Sequence, residues 1–338
     1  MPRIPYRTKL RLKKLMQVIL ILLGIICLGA VLVLVYADSL ILYDRDGAHL
    51  VGQAVLPEES TVVLEERPQV LNPVIVLQET VAETVSVKEL GGVYISTKML
   101  KDIEEVSALM EQITEPCVVF MELKSVFGNF YYNSGVAFGN YPEGVDVGAV
   151  DALIAKLLQR GFYLVASVPA FSDRAYVLEN EENSLMKNSG YSWMDSRGCY
   201  WLDPAKDASL SRLTQIARDL GNKGFREVCF TEFCFPEGEG YVYASELSKE
   251  QVIRNGVEKV TSLMAGSEVL VSFAVDRIDF PMECGNGRVY VTDVDGSQAE
   301  RYAEHYGGIS SVEEVVFLTS SKDERFGEYG LISPLMAE

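Results

Sequence analysis

Apolar positions along the 338-residue chain fall into three regimes. From Leu15 to Tyr36 they dominate, in 22 residues rich in Leu, Ile and Val without one charge. From Pro57 to Lys88 they follow no period, in a stretch rich in Glu, Val, Pro and Thr. From about residue 91 onward, short apolar runs alternate with stretches of helical spacing. The helical stripes are Ile103, Val106, Leu109, Met110 and Ile113; then Val150, Leu153, Ile154, Leu157 and Leu158, ended by Gly161; then Leu210, Leu213, Ile216, Ala217 and Leu220. Ser248 and Gln251 form a capping-box pattern that opens a fourth helix to about Met264, and a short one is expected over 298–306. Between them the pattern predicts seven strands: Val93–Ser96, Val118–Lys124, Phe162–Val168, the run inside Gly224–Pro236, Val269–Val275, Val289–Asp293 and Val315–Thr319.

Strand–helix alternation over about 245 residues suits an α/β fold of the (β/α) TIM-like barrel type, for which about 250 residues is typical. An open doubly wound sheet is the alternative. The carboxyl-terminal third is irregular, with no evident helix between the fifth and sixth strands, so the pattern does not assure an eighth strand. Chemistry in such folds sits at the carboxyl ends of the strands, which directs attention to Thr231–Pro236.

The amino-terminal run is long enough to cross a bilayer as a helix. Six basic residues precede it, and acids begin only at Asp38. The sequence therefore reads as a basic cytoplasmic tail (1–14), a transmembrane helix (15–36), an extracytoplasmic stalk (37–90) and the barrel (91–338). A cleaved signal peptide is the rival, but the apolar run exceeds the usual signal core. Within the stalk, residues 40–51 suggest a hairpin turning at Asp46-Gly47.

Outside the tail, 24 Lys and Arg face 48 Asp and Glu. So acidic a surface repels nucleic acid. The six cysteines contain no C-x-x-C pair, and the two histidines, His49 and His305, lie far apart. Zinc, redox and Ser-His-Asp chemistry have no support. Dinucleotide and phosphate-loop fingerprints are absent, and no cofactor or metal is expected.

The fourth strand, Gly224-Phe-Arg-Glu-Val-Cys-Phe-Thr-Glu-Phe-Cys-Phe-Pro236, resembles the G-F-D-E-I-Q-F-D-Y-V-R-F-P strand of a glycoside-hydrolase-like domain family of TIM-barrel type. Gly92–Ser96, Val118–Ser125, Phe171-Ser-Asp173 and Trp201-Leu-Asp-Pro204 resemble further motifs of that family in the same order. The resemblance implies hydrolysis of, or binding to, a glycan. It also exposes departures. The family's strand-end aspartate is Thr231 here, and its arginine is Cys234.

Glycoside hydrolysis requires two carboxyl groups. The catalytic candidates are Glu122, Glu232 and Asp276. By strand parity Glu232 faces away from Thr231 unless the strand ends early. The substrate-binding candidates are Lys124, Asp173, Trp193, Trp201, Asp203 and Thr231. Glu122 and Lys124 share a face expected to point into the barrel mouth, as a functional pair or a buried ion pair. Asp173 and Asp203 are expected first as loop or helix caps, and the tryptophans either stack on sugar rings or pin a long loop. Two functions follow: a membrane-tethered glycoside hydrolase acting on an envelope or extracellular polysaccharide, or a catalytically inactive barrel that binds glycan or scaffolds an envelope protein partner.

Overall fold

The computed structural model describes residues 41–44, 47–50, 85–278, 287–307 and 314–336. The chain divides into two compact units, 1–75 and 76–338. In the first, β1 (Ile41–Asp44) pairs antiparallel with β2 (Gly47–Leu50), with Asp44 opposite Gly47. Gly47 is thus the first paired residue of β2 and not part of the turn. The apolar run 15–36 lies outside the described residues; among the described residues no helix is long and apolar enough to cross a membrane.

The second unit opens with α1 (Val87–Leu90), a single turn capped by Ser86, whose hydroxyl accepts from the amide of Glu89. Sequence composition assigned this segment to the stalk, yet Val87 is fully buried inside the barrel with Val85 beside it. There follow β3 (Gly92–Ile95), α2 (Ile103–Gln112), β4 (Val118–Glu122), α3 (Val147–Gln159), β5 (Tyr163–Pro169), α4 (Arg174–Glu179), α5 (Asp207–Asn222), β6 (Glu227–Thr231), α6 (Lys249–Met264), β7 (Leu270–Val275), β8 (Val289–Thr292), α7 (Ala299–Gly307), β9 (Val315–Leu318) and β10 (Gly330–Pro334).

The eight strands β3–β10 are all parallel and close into a barrel, with β10 pairing both β9 and β3. Closure settles the choice against an open sheet. The seven predicted strands are all present, and the eighth is β10, whose five residues carry too short an apolar run to stand out. The helices sit where the stripes placed them. On α3, Val150, Leu153, Ile154 and Leu157 turn toward the barrel, Asp146 caps the amide of Ala149, and Gly161 lies beyond the end at φ +83°. The capping box of Ser248 and Gln251 is present on α6.

Two cores result, one between the strands and the helices, the other inside the barrel. The inner core stacks Val118, Phe120, Val165, Cys229, Tyr290, Val316 and Ile332. At its amino-terminal floor Glu227, fully buried, pairs with Arg288 and accepts hydrogen bonds from Tyr290 (2.9 Å), Tyr163 (3.1 Å) and Ser272. Arg288 also donates to the carbonyl of Val85, tying α1 to the floor.

Candidate functional site

The opposite, carboxyl end of the barrel is open. By pleat parity with Phe120, Val165 and Cys229, the inward residues toward the strand ends include Glu122, Ser167, Thr231, Ala274, Thr292, Leu318 and Pro334. Four of these are small Ser, Thr or Ala residues, so they leave the lumen unfilled. A cavity of about 590 Å³ lies over Phe120, lined by Glu122, Tyr94, Asp293 and Asp295 among others. A second cavity of about 500 Å³ lies beneath residues 195–201, and Trp201, Glu232, Asp276 and Arg277 line it. The two share Thr231, Ala274, Thr292 and Asp293, so the mouth is one continuous cleft.

Four carboxylates from four strand ends line it. Glu122 completes β4. It accepts hydrogen bonds from the Tyr94 hydroxyl and from the Thr97 amide at 2.8 Å, an arrangement that fixes its direction. Glu232 follows β6. Strand pairing ends at Thr231, whose carbonyl accepts from Ala170 at 2.8 Å, and Glu232 then takes φ +49°. A side chain rarely adopts this left-handed conformation, at about 1–2 kcal/mol. Here it overrides the pleat and turns the carboxylate into the cleft. Asp293 does the same directly after β8, with φ +55°, and lines both cavities. Asp276 lies just past β7, exposed on the rim.

Glu232 is held by the long segment between β5 and α5. Its Oε1 accepts from Arg197 Nη1 at 2.5 Å, while its Oε2 is buried without a hydrogen-bond partner. Arg197 also meets Asp195 (Nη2 at 2.9 Å, Nε at 3.0 Å) and lies over the ring of Trp201. Asp195 Oδ2 accepts from the Trp201 indole at 3.0 Å, and its Oδ1 from the amides of Arg197 and Cys199, both at 2.9 Å. Burial alone would raise the Asp195 carboxyl, but these donors outweigh it and hold it below the usual range. Burial pushes the Cys234 and Cys199 thiols up to about 11, which leaves them poor nucleophiles.

The remaining predicted residues are placed as follows. Lys124 does not point into the mouth. β4 ends at Glu122, and the chain turns so that Lys124 bridges to Phe130. Lys124 is buried against Asp173 Oδ2 at 3.2 Å, and Arg212 approaches the same oxygen at 3.7 Å. Burial lowers the pKa of both cations, and Asp173 opposes it. Asp173 also caps α4 through the amide of Tyr176. Asp203 is not the cap of α5, which starts four residues later at Asp207 behind Lys206. It accepts instead from Ala205 (3.0 Å) and Ala244 (2.8 Å), joining the long segment to the loop after β6. Trp193 is pinned to that same loop by the carbonyl of Glu239 and the ring of Tyr241, outside both cavities. Trp201 and Thr231 do line the cleft. Asp293, Asp195 and Arg197 were not foreseen. Among the described residues no group of three or more His, Cys, Asp or Glu is arranged to hold a metal ion.

Residues 92–276 match a protein family described as "Putative glycosyl hydrolase domain". The chain belongs to this family. The matched region thus runs from β3 to just past β7, and the three closing strands complete the barrel. No curated protein matches the chain. Among solved structures it is similar to a hypothetical protein from Ruminiclostridium thermocellum (19% identity, 53% of this chain and 96% of that one, TM-score 0.46). It is also similar to an α-galactosidase from Lactobacillus brevis (11% identity, 72% and 37%, TM-score 0.50). A third is a GH20 exo-β-N-acetylglucosaminidase from Vibrio harveyi (10% identity, 72% and 49%, TM-score 0.50). At these identities the likeness is one of fold, and the chain spans half or less of either enzyme's length.

Proposed function

We infer that this glycosyl hydrolase domain cleaves a glycan in the cleft at the barrel mouth, with Glu232 and Asp293 as the two carboxyl groups. The observation that carries the reading is the left-handed backbone at both residues, which aims two acids from the ends of β6 and β8 at one cleft. β6 and β8 are two strand steps apart, about 9–10 Å at the backbone. That spacing is on the scale of the about 5–9.5 Å at which a carboxyl pair flanks a glycosidic bond. Asp293 donates its proton to the leaving glycosidic oxygen as the bond from that oxygen to the anomeric carbon breaks. Glu232 receives the developing charge, either by activating water or by bonding transiently to the anomeric carbon. In both cases one water is consumed and its oxygen ends on the anomeric carbon. Glu122, tied by Tyr94 and Thr97, is a fixed acceptor for sugar hydroxyls, and Trp201 supplies an apolar wall.

The substrate is an envelope or extracellular polysaccharide. Support for this comes from the uncharged run 15–36 behind a basic tail, which reads as an anchor holding the domain outside the cell membrane. A second reading rests on Thr231: with no acid at the last inward position of β6, the cleft binds glycan without turnover. The test incubates the full chain with purified cell-envelope polysaccharide and follows new reducing ends. Release that drops about 100-fold or more in both Glu232→Gln and Asp293→Asn supports the hydrolase. Co-sedimentation with the glycan and no release would move the reading to a binding module.

A further inference from the structure

Arg197 crosses from the tip of a turn in the long segment to the end of β6, and nothing in the motifs of the sequence marks it. Only one oxygen of Glu232 has a hydrogen bond, and Arg197 supplies it. The guanidinium is itself held in three directions: by Glu232, by Asp195 and over Trp201. Asp195 is fixed independently of it, through the amide of Cys199 and the indole of Trp201. The turn therefore stands whether or not the guanidinium is there.

Resting on the reading of Glu232 as one of the two carboxyl groups, we propose that Arg197 is a positioning residue, which holds Glu232 as a charged acceptor and so assigns it the nucleophile or base role, leaving the acid role to Asp293. The other groups around Glu232 do not supply this. Lys124 lies behind β4, but it is committed to Asp173 and to the carbonyls of Pro169 and Ser172. From the end of β7, Asp276 and Arg277 bring one charge of each sign to the same cavity. Cys199 and Cys234 carry neutral thiols at neutral pH. Without Arg197 the Glu232 carboxylate loses its one hydrogen-bonded, oppositely charged neighbour. Asp293 carries no ion pair among the described residues.

The experiment measures pH–rate profiles of the full chain as wild type, Arg197→Gln and Arg197→Lys, each checked by thermal melting. In Arg197→Gln the acid limb of kcat/KM should move up by about one pH unit, and in Arg197→Lys, which keeps the charge but not the planar fork, by less. A rise in KM with the acid limb unmoved would overturn the proposal and make Arg197 a substrate contact only. If the wild type turns over no glycan, the hydrolase reading fails on its own. The proposal is then decided by carbon-13 titration of the side-chain carboxyls, with the Glu232 signal assigned by its loss in Glu232→Gln. A higher midpoint in Arg197→Gln sustains the positioning role, and coincident titrations in the two proteins would exclude it.

Discussion

Strand β6 carries a glutamate at each end, five residues apart, and the two live in opposite circumstances. Glu227, at the floor, is sealed and fully served: one guanidinium, two phenols and a hydroxyl meet its two oxygens. Glu232, just past the mouth end, has one half-exposed arginine, one oxygen without a hydrogen bond and a backbone conformation that side chains avoid. The same side chain thus fills a structural position at one end and a reactive one at the other. In a barrel this division follows the strand direction. The floor is closed by α1, whereas the mouth is built from loops after the strands, with residues 195–201 over part of it. A charge compensated on every side has nothing left to offer a ligand; an under-compensated one does.

The contrast can be broken most forcefully at the floor. Glu227→Ala strands Arg288 in the barrel interior and should cost about 3–5 kcal/mol in urea unfolding, whereas the mouth tolerates the equivalent change. Asp173→Ala should destabilise on the same scale, because it leaves Lys124 and Arg212 buried beside one another. Glu232→Gln sharpens the comparison from the other side. Its unfolding free energy should stay within about 1 kcal/mol of wild type, while hydrolysis falls about 100-fold or more. A Glu232→Gln protein that unfolds as readily as Glu227→Ala would dissolve the distinction between the two ends. A smaller effect belongs to Asp195. Its folded-state pKa is depressed, so the stability it contributes is present above the unfolded value and is lost as pH falls through the folded one. Asp195→Asn should therefore lower the melting temperature at pH 7, and the two curves should converge in the acid range below about pH 4. Smallest is the reactivity of Cys234 at the cleft: with its thiol near 11, alkylation should be slow at pH 7.5 and quicken steadily toward pH 11.

Much of the scaffold was legible because periodicity reports burial directly. The stripe on α3 and the apolar runs of β4 and β5 announce their partners. β10 was not legible, since Gly330-Leu-Ile-Ser-Pro334 is a strand only because β9 and β3 stand on either side of it. At the site, parity placed Glu122 and Thr231 at the mouth, because both lie inside regular strands. It failed for Lys124, two residues after its strand had ended, and for Glu232, whose direction is set by a single positive φ. Asp293 escaped for the same reason: it reads as the last residue of a strand, and nothing in its neighbours signals the left-handed turn. Arg197 had no pattern at all, because an arginine on a turn between Asp195 and Gly198 looks like any solvated loop.

The floor network has one more consequence, for how the barrel finds its pairing. Eight short parallel strands with similar apolar faces offer many near-equivalent alignments. Glu227 on β6, Ser272 on β7 and Arg288 at the entry to β8 meet only when these three strands are in native register. A slip of one residue on β6 would swing Glu227 out among the helices and bring Val228 inward, leaving Arg288 facing hydrocarbon. The ion pair acts there as a key that fits a single alignment, so the position of every strand end around the mouth, and with it the reach of Glu232 toward Asp293, is indexed from the opposite end of the barrel.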